Sequence, residues 1–104
     1  MRKISIDGAS ALLNGKRFTR TNTKVLDGVM ELYGHKIAWI RQGKIIISNA
    51  GWEAVTTKDR LNAILSGLGL GRIFQKDFNW FYKDPAGNIT PFNGSMEVKL
   101  WAVI

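Results

Sequence analysis

The clearest alternation of apolar and polar positions lies between residues 51 and 68 and predicts an amphipathic helix. Four apolar side chains recur there at intervals of three and four residues, which places them on one helical face: Leu61, Ile64, Leu65 and Leu68. The Thr56 hydroxyl is expected to accept from the backbone N–H of Asp59, and the Asp59 carboxylate to reach back to Thr56. Gly67 is expected to end the helix. We therefore predict one principal helix over about residues 57–66.

Short runs of β-branched and aromatic residues precede this helix and predict strands. They cover residues 23–26, 29–33, 36–41 and 44–48. Turn pairs separate them roughly every eight residues, at Asp27-Gly28, Gly34-His35 and Gln42-Gly43. Such spacing indicates an antiparallel meander. The run 36–41 has apolar residues on both faces, so we place it centrally, with one face under the helix.

The two ends of the chain have weaker patterns. Residues 3–6 alternate and predict a short strand, and residues 10–13 suggest one helical turn that is too short for an independent helix. Residues 16–22 are expected to form a loop or an edge strand. After the helix we predict a hairpin of 72–76 and 78–83, turning at Lys76-Asp77, and a last strand over 96–104. The predicted fold is α+β: an antiparallel sheet of about six strands with one principal helix.

Length and composition place this fold in one domain. The chain has 104 residues, of which 45% are hydrophobic, so a single domain over residues 1–104 is expected. It has no cysteine, which excludes disulfides, thiolate metal ligands and cysteine nucleophiles. The first ten residues do not read as a signal peptide, and no apolar run is long enough to cross a bilayer. A soluble protein without a membrane partner is expected.

Positive charge is concentrated in the first quarter of the chain. The formal net charge is +7. Residues 1–24 contain one acidic residue, Asp7, against six basic ones: Arg2, Lys3, Lys16, Arg17, Arg20 and Lys24. This asymmetry favours partners that are polyanions, such as nucleic acid or an acidic protein surface, although it is also consistent with a solubilising excess of charge.

Three groups of residues are candidates for partner binding. In the first, Lys16, Arg17, Arg20 and Lys24 would bind phosphates, Phe18 would stack on a base, and Arg2 and Lys3 would lie beside them. In the second, Lys58 and Arg60 would bind a phosphate at the start of the helix or simply face solvent. In the third, Trp80 and Tyr82 lie on one face of a strand, which belongs to the core or forms an exposed aromatic platform.

The titratable residues do not predict an enzyme. His35 is the only histidine, which excludes sites that need two histidine ligands, and we interpret it as a turn residue with positive φ. The eight acidic residues are scattered, and nothing selects a pair for acid–base catalysis. The hypothesis is therefore a non-enzymatic protein with no cofactor and no metal site.

A series of motifs runs through the central stretch, about residues 22–82: Asn22-Thr23-x-Val25, Leu32-x-Gly34-His35-x-Ile37-Ala38, Gly51-Trp52, Thr56-Thr57, Arg60-Leu61-Asn62, Ile73-x-Gln75-Lys76 and Trp80-x-Tyr82. In this pattern the chain resembles a family of short proteins encoded by tailed bacteriophages. Family members often have Asn where this chain has His35. The resemblance implies a phage origin and the host cytoplasm, and no catalytic residues. The flanks, residues 1–21 and 83–104, are expected to be particular to this member.

The sequence leaves two principal functions open, together with a third alternative. The first is non-specific nucleic-acid binding through the basic N-terminal segment. The second is an inhibitor or modulator that docks on a host protein, at an acidic surface or a nucleic-acid-binding cleft. The third is a virion or assembly component. The oligomeric state is not predicted.

Overall fold

The computed structural model describes residues 2–99, and within them the chain is α+β, as the sequence predicts. The elements follow in the order α1 (Lys3–Leu13), β1 (Phe18–Arg20), β2 (Thr23–Leu26), β3 (Val29–Leu32), β4 (His35–Arg41), β5 (Lys44–Ser48), α2 (Val55–Leu68), β6 (Arg72–Lys76), β7 (Asn79–Lys83), β8 (Ile89–Pro91) and β9 (Ser95–Lys99). Six strands form one antiparallel sheet in the order β1-β2-β3-β4-β5-β9, and β6-β7-β8 form a second.

The predicted meander is confirmed, and its tight turns explain why. Asp27 and Gly28 both have positive φ, as do Gln42 and Gly43, which is the backbone that two-residue hairpins require. The turn predicted at Gly34-His35 lies one residue earlier. Tyr33 has a φ of 52° there, whereas His35 begins β4, so the interpretation of His35 as a turn residue is wrong.

The six-stranded sheet has one buried face and one accessible face. The buried face carries side chains that are at most 1% exposed: Val25, Met30, Ala38, Ile45 and Ile47. A bulge where β3 pairs with β4 shifts the register after Met30 and buries Ile37 next to Ala38. β4 is internal to the sheet, as predicted, and α2 contacts it.

The first helix corrects the sequence prediction at the N-terminus. Residues 3–6 are the start of an 11-residue helix, α1, rather than a strand. Its buried side is lined mostly by small residues, which gave no apolar signal at helical spacing: Ser5, Gly8, Ala9, Ala11 and Leu12. Gly8 allows a close approach to the sheet, because a Cβ there would lie 3.2 Å from the Cε atom of Met30.

The second helix confirms the predicted apolar stripe but not the predicted caps. α2 begins after Ala54, which provides no side-chain cap. The Asp59 carboxylate instead accepts from the Ser5 hydroxyl and the Arg2 backbone N–H, both at α1. Gly69 ends the helix with a φ of 67°, so Gly67 lies inside it. The two helices pack directly against each other.

The second sheet attaches to the C-terminal half of α2. The Asn62 side chain donates to the Ile73 carbonyl over 2.9 Å and accepts from the Ile73 N–H over 2.7 Å. The predicted hairpin is confirmed, although it turns at Asp77-Phe78 rather than at Lys76-Asp77. Leu100, Trp101 and Ala102, which were placed on the last strand, lie outside the described residues.

Candidate functional site

The six N-terminal cations are all exposed, but they occupy three places in the fold. Arg2 and Lys3 lie at the start of α1, Lys16 and Arg17 in the loop before β1, and Arg20 and Lys24 on β1 and β2. Lys24 pairs in register with Thr19 and Glu31 on the accessible sheet face. The structure therefore does not gather the six cations in one cluster, because Lys24 lies on the accessible sheet face whereas Lys3 and Arg20 lie beside Asp7 of α1.

Asp7 neutralises part of this charge. Its Oδ2 atom lies 2.9 Å from the Lys3 ammonium and 3.2 Å from the Arg20 guanidinium. The hydrogen bond from Lys3, together with Arg20, lowers the pKa of the Asp7 carboxyl. Within residues 2–99, four of the six cations form no salt bridge: Arg2, Lys16, Arg17 and Lys24. These four charges are thus more available to an anionic partner than Lys3 and Arg20.

Phe18 is placed differently from the free stacking group that the sequence suggests. Its side chain is half-buried and packs on the core beside Gly8 of α1. The Arg20 guanidinium lies over its ring, 5.2 Å from the centroid. Because both the core and Arg20 already contact the ring, we assign Phe18 to packing and not to base stacking.

Arg60 is buried, which contradicts its placement on the solvated side of α2. It is only 1% exposed. Its guanidinium donates from Nε to the Thr23 hydroxyl over 2.9 Å, from Nη1 to the Ser5 hydroxyl over 2.5 Å and from Nη2 to Asn22 Oδ1 over 3.2 Å. Burial lowers the pKa of Arg60, and nearby Asp59, 3.8 Å from Nη1, opposes that effect. Arg60 therefore links α1, α2 and β2 and does not face an external phosphate.

Trp80 and Tyr82 belong to the core, which was the other interpretation open from the sequence. They are 2% and 8% exposed. The Tyr82 hydroxyl donates to the Leu70 carbonyl, and the Trp80 ring is tilted against Phe92. The half-exposed Lys58 places its ammonium 6.0 Å from the Trp80 ring centroid, so Lys58 covers this core cluster. An exposed aromatic platform at Trp80 and Tyr82 is excluded by their burial.

An apolar cavity of about 460 Å³ was not predicted from the sequence. It lies between the β3–β4 turn, the loop after β5 and the start of α2, and its aromatic lining is Tyr33, His35 and Trp52. The rings of His35 and Trp52 are tilted against each other with centroids 6.2 Å apart. The signal available in the sequence was two aromatics next to turn glycines, Tyr33-Gly34 and Gly51-Trp52.

The part of the chain that the structure describes contains neither a metal-binding cluster nor a helix that could span a membrane. Within residues 2–99, no three side chains among His, Cys, Asp and Glu come close enough together to hold a metal ion. Neither α1 nor α2 is both long enough and apolar enough to span a bilayer.

Comparison with known families identifies the origin of the chain. The family model described as "Kyanoviridae Gp96 protein" matches residues 1–99. The chain belongs to this phage protein family. The match confirms the resemblance to proteins of tailed phages, and it corrects the expected extent, because residues 1–21 and 83–99 are also part of the family pattern. No curated protein and no solved structure matches the chain.

Proposed function

We propose that this Gp96-family protein is a non-enzymatic phage accessory protein that binds nucleic acid through residues 16–24. The observation that supports this most is a run of nine residues with four basic and no acidic side chains. Lys16, Arg17 and Lys24 in this run are exposed and have no salt-bridge partner within residues 2–99. Arg20 forms a salt bridge with Asp7, but its side chain remains exposed.

The chemistry of this segment favours contacts to phosphates over contacts to bases. The segment consists of a loop, the three-residue edge strand β1, a turn and the start of β2, and its only aromatic side chain, Phe18, is engaged in packing. Phosphate contacts do not depend on sequence. We therefore expect non-specific binding with a Kd of roughly 10⁻⁴–10⁻⁶ M at physiological salt.

Fluorescence anisotropy with a labelled DNA duplex tests this proposal. The double variant Arg17→Ala, Arg20→Ala removes two contacts and should weaken binding at physiological salt by about tenfold or more. The matched control, Arg72→Ala with Lys76→Ala, removes two exposed charges from β6 and should bind like the wild type. Equal binding by the wild type and the Arg17/Arg20 variant would contradict the proposal.

A second candidate function is docking on a host protein. It is favoured by three exposed apolar side chains at or next to the aromatic cavity: Tyr33 is 71% exposed, Trp52 62% and Val55 69%. The same basic segment would steer an acidic partner, or a partner with a nucleic-acid-binding cleft, during encounter. In this reading the protein acts in the host cytoplasm as an inhibitor or modulator.

A pull-down from host lysate separates the two candidates. Tagged protein is incubated with nuclease-treated and untreated lysate at two salt concentrations. A stoichiometric protein that remains bound after nuclease and moderate salt supports docking, particularly if Trp52→Ala releases it. Loss of all partners on nuclease treatment supports nucleic-acid binding.

A further inference from the structure

We propose that the accessible face of the six-stranded sheet binds single-stranded nucleic acid, with bases over Trp39 and phosphates on the cations at the two margins. This inference rests on the proposed function, since both assume that the protein binds nucleic acid. It adds a more specific partner, a single strand, and a second binding surface. Lys24 belongs to both surfaces, which places them side by side.

Strand register defines the face. Val29 on β3 lies opposite Trp39 on β4, Trp39 lies opposite Ile46 on β5, and Ile46 lies opposite Glu97 on β9. Each of these residues alternates along its strand with residues of the core-facing side, of which Met96 and Val98 on β9 are only partly buried and Ile40 on β4 is exposed. Val29, Trp39 and Ile46 are each half-buried, in contrast to Met30, Ala38, Ile45 and Ile47, which are fully buried. The centre of the face is thus an apolar strip around one indole ring.

Cations line both margins of this strip. On one side Lys24 and Lys36 flank Glu31 in register. On the other side three basic residues stand next to one another in a single cross-strand row: Arg41, Lys44 and Lys99. With Glu31 and Glu97 included, the face has five basic and two acidic side chains.

The row of three cations is the feature that points to an anionic ligand. Residues directly opposite in an antiparallel pair have Cβ atoms about 4.5–5.5 Å apart, so like charges there repel and destabilise the sheet. Glu97 offsets only part of this repulsion, through one contact with Lys44 at 3.5 Å. Within residues 2–99, Arg41 and Lys99 have no salt-bridge partner. A bound phosphate chain would relieve the repulsion along this margin.

The shape of the face favours a single strand over a duplex. An open sheet surface offers a ring for stacking, and only an unpaired base exposes its flat face to such a ring. A duplex would present phosphates alone, and its bases would not reach Trp39. We therefore expect single-stranded DNA of about 16 nucleotides to bind more tightly than a duplex of equal length.

Anisotropy and tryptophan-quenching titrations with that single strand test the inference. Trp39→Ala should weaken binding by about tenfold, while Trp39→Phe, which keeps a ring and is less disruptive, should retain most of it. Arg41→Gln with Lys99→Gln should reduce the slope of log K against log salt by about 1.4, because two phosphate contacts are lost. Phe78→Ala, and Arg72→Gln with Lys76→Gln, are the matched controls and should behave like the wild type.

The outcomes separate this inference from the proposed function. In one outcome, the Trp39 and Arg41/Lys99 variants lose binding while the double variant Arg17→Ala, Arg20→Ala binds like the wild type. That result supports binding at the sheet face and contradicts binding at residues 16–24. The reverse pattern overturns the sheet face and leaves the proposed function standing. A wild type that binds neither form of DNA contradicts both. Equal affinity for duplex and single strand, or a protein captured through this face, overturns the inference.

Discussion

The Arg60 guanidinium donates to the Ser5 hydroxyl over 2.5 Å, and this bond joins the two helices in the interior of the protein. The Ser5 hydroxyl in turn donates to the Asp59 carboxylate, so a hydroxyl of α1 bridges the opposite charges of Arg60 and Asp59 on α2. Arg60 is therefore a structural residue. Its hydrogen-bond partners come from two segments that are distant from it in the sequence, one at Ser5 and one at Asn22 and Thr23.

Arg60→Ala should lower the free energy of unfolding by about 3 kcal/mol, because it leaves the buried Ser5 and Thr23 hydroxyls without their guanidinium donor and Asp59 without its neighbouring positive charge. Urea unfolding followed by circular dichroism measures the change. The control is Arg72→Ala, which removes an exposed arginine from β6 and should change stability by no more than about 0.5 kcal/mol. Equal losses in the two variants would contradict the structural role of Arg60.

The sequence predicted the meander well because its turns are encoded locally. Pairs such as Asp27-Gly28 adopt the positive φ values of a two-residue hairpin wherever they occur between strands. The helix α1 was missed because its buried side contains Ser5 and Gly8 in place of large apolar residues. That error led directly to another: without α1 over it, Arg60 reads as part of a solvated helix face.

The sequence predicts the N-terminal cations as candidate binding residues, but it does not predict the row of cations on the sheet face. Strand register, which a single sequence does not supply, places Arg41, Lys44 and Lys99 in one row. The burial of Trp80 and Tyr82 could not be predicted either, since alternation shows that the two residues share a face but not which face of the strand is buried. The N-terminal cations could be predicted because a concentration of basic residues is visible in the sequence itself.

Gly71→Ala should destabilise the protein much more than Gly87→Ala. Both glycines have nearly the same backbone, with φ of 97° and 95°, so the strain of a positive φ is common to both variants. At Gly71 a Cβ would overlap the carbonyl oxygen of Lys83, whereas nothing lies within 4 Å at Gly87. Thermal and urea unfolding should show an extra loss of about 2 kcal/mol for Gly71→Ala. Equal losses of stability in the two variants would show that Gly71 does not pack this closely against the Lys83 carbonyl.

Phe78→Gly should stabilise the protein. Phe78 is 89% exposed and has a φ of 67° in the β6–β7 turn, a left-handed conformation that costs a residue with a Cβ about 1–2 kcal/mol. Glycine removes this strain at the cost of greater freedom in the unfolded chain, so a net gain of about 0.5–1 kcal/mol is expected. Phe78→Ala is the control, since it removes the ring but retains the Cβ. A similar gain in both variants would assign the effect to the ring.

Tyr82 should make stability sensitive to alkaline pH. Burial, and next the charge of Asp84, raise the pKa of its hydroxyl. Because the folded-state pKa lies above the unfolded value of about 10, the stabilisation is complete below that pH and is lost as pH rises through the folded-state pKa.

Urea unfolding between about pH 8 and pH 11 checks this effect. Tyr82→Phe should be about 1 kcal/mol less stable than the wild type at the lower pH, because the hydrogen bond to the Leu70 carbonyl is lost. It should lose less stability on going to the higher pH. Tyr33→Phe, at an exposed site, should follow the wild type throughout. Parallel curves for the wild type and Tyr82→Phe would contradict the assignment.

The salt dependence of DNA binding tests directly whether residues 16–24 bind the phosphate backbone. We expect log K for a duplex to fall linearly with log salt in the wild type. In the double variant Arg17→Ala, Arg20→Ala this slope should become shallower by about 1.8, because two phosphate contacts are lost and each contributes about 0.9 to the slope. Arg72→Ala with Lys76→Ala should leave the slope unchanged. An identical slope in all three proteins, or a wild-type affinity that does not respond to salt, would contradict the account.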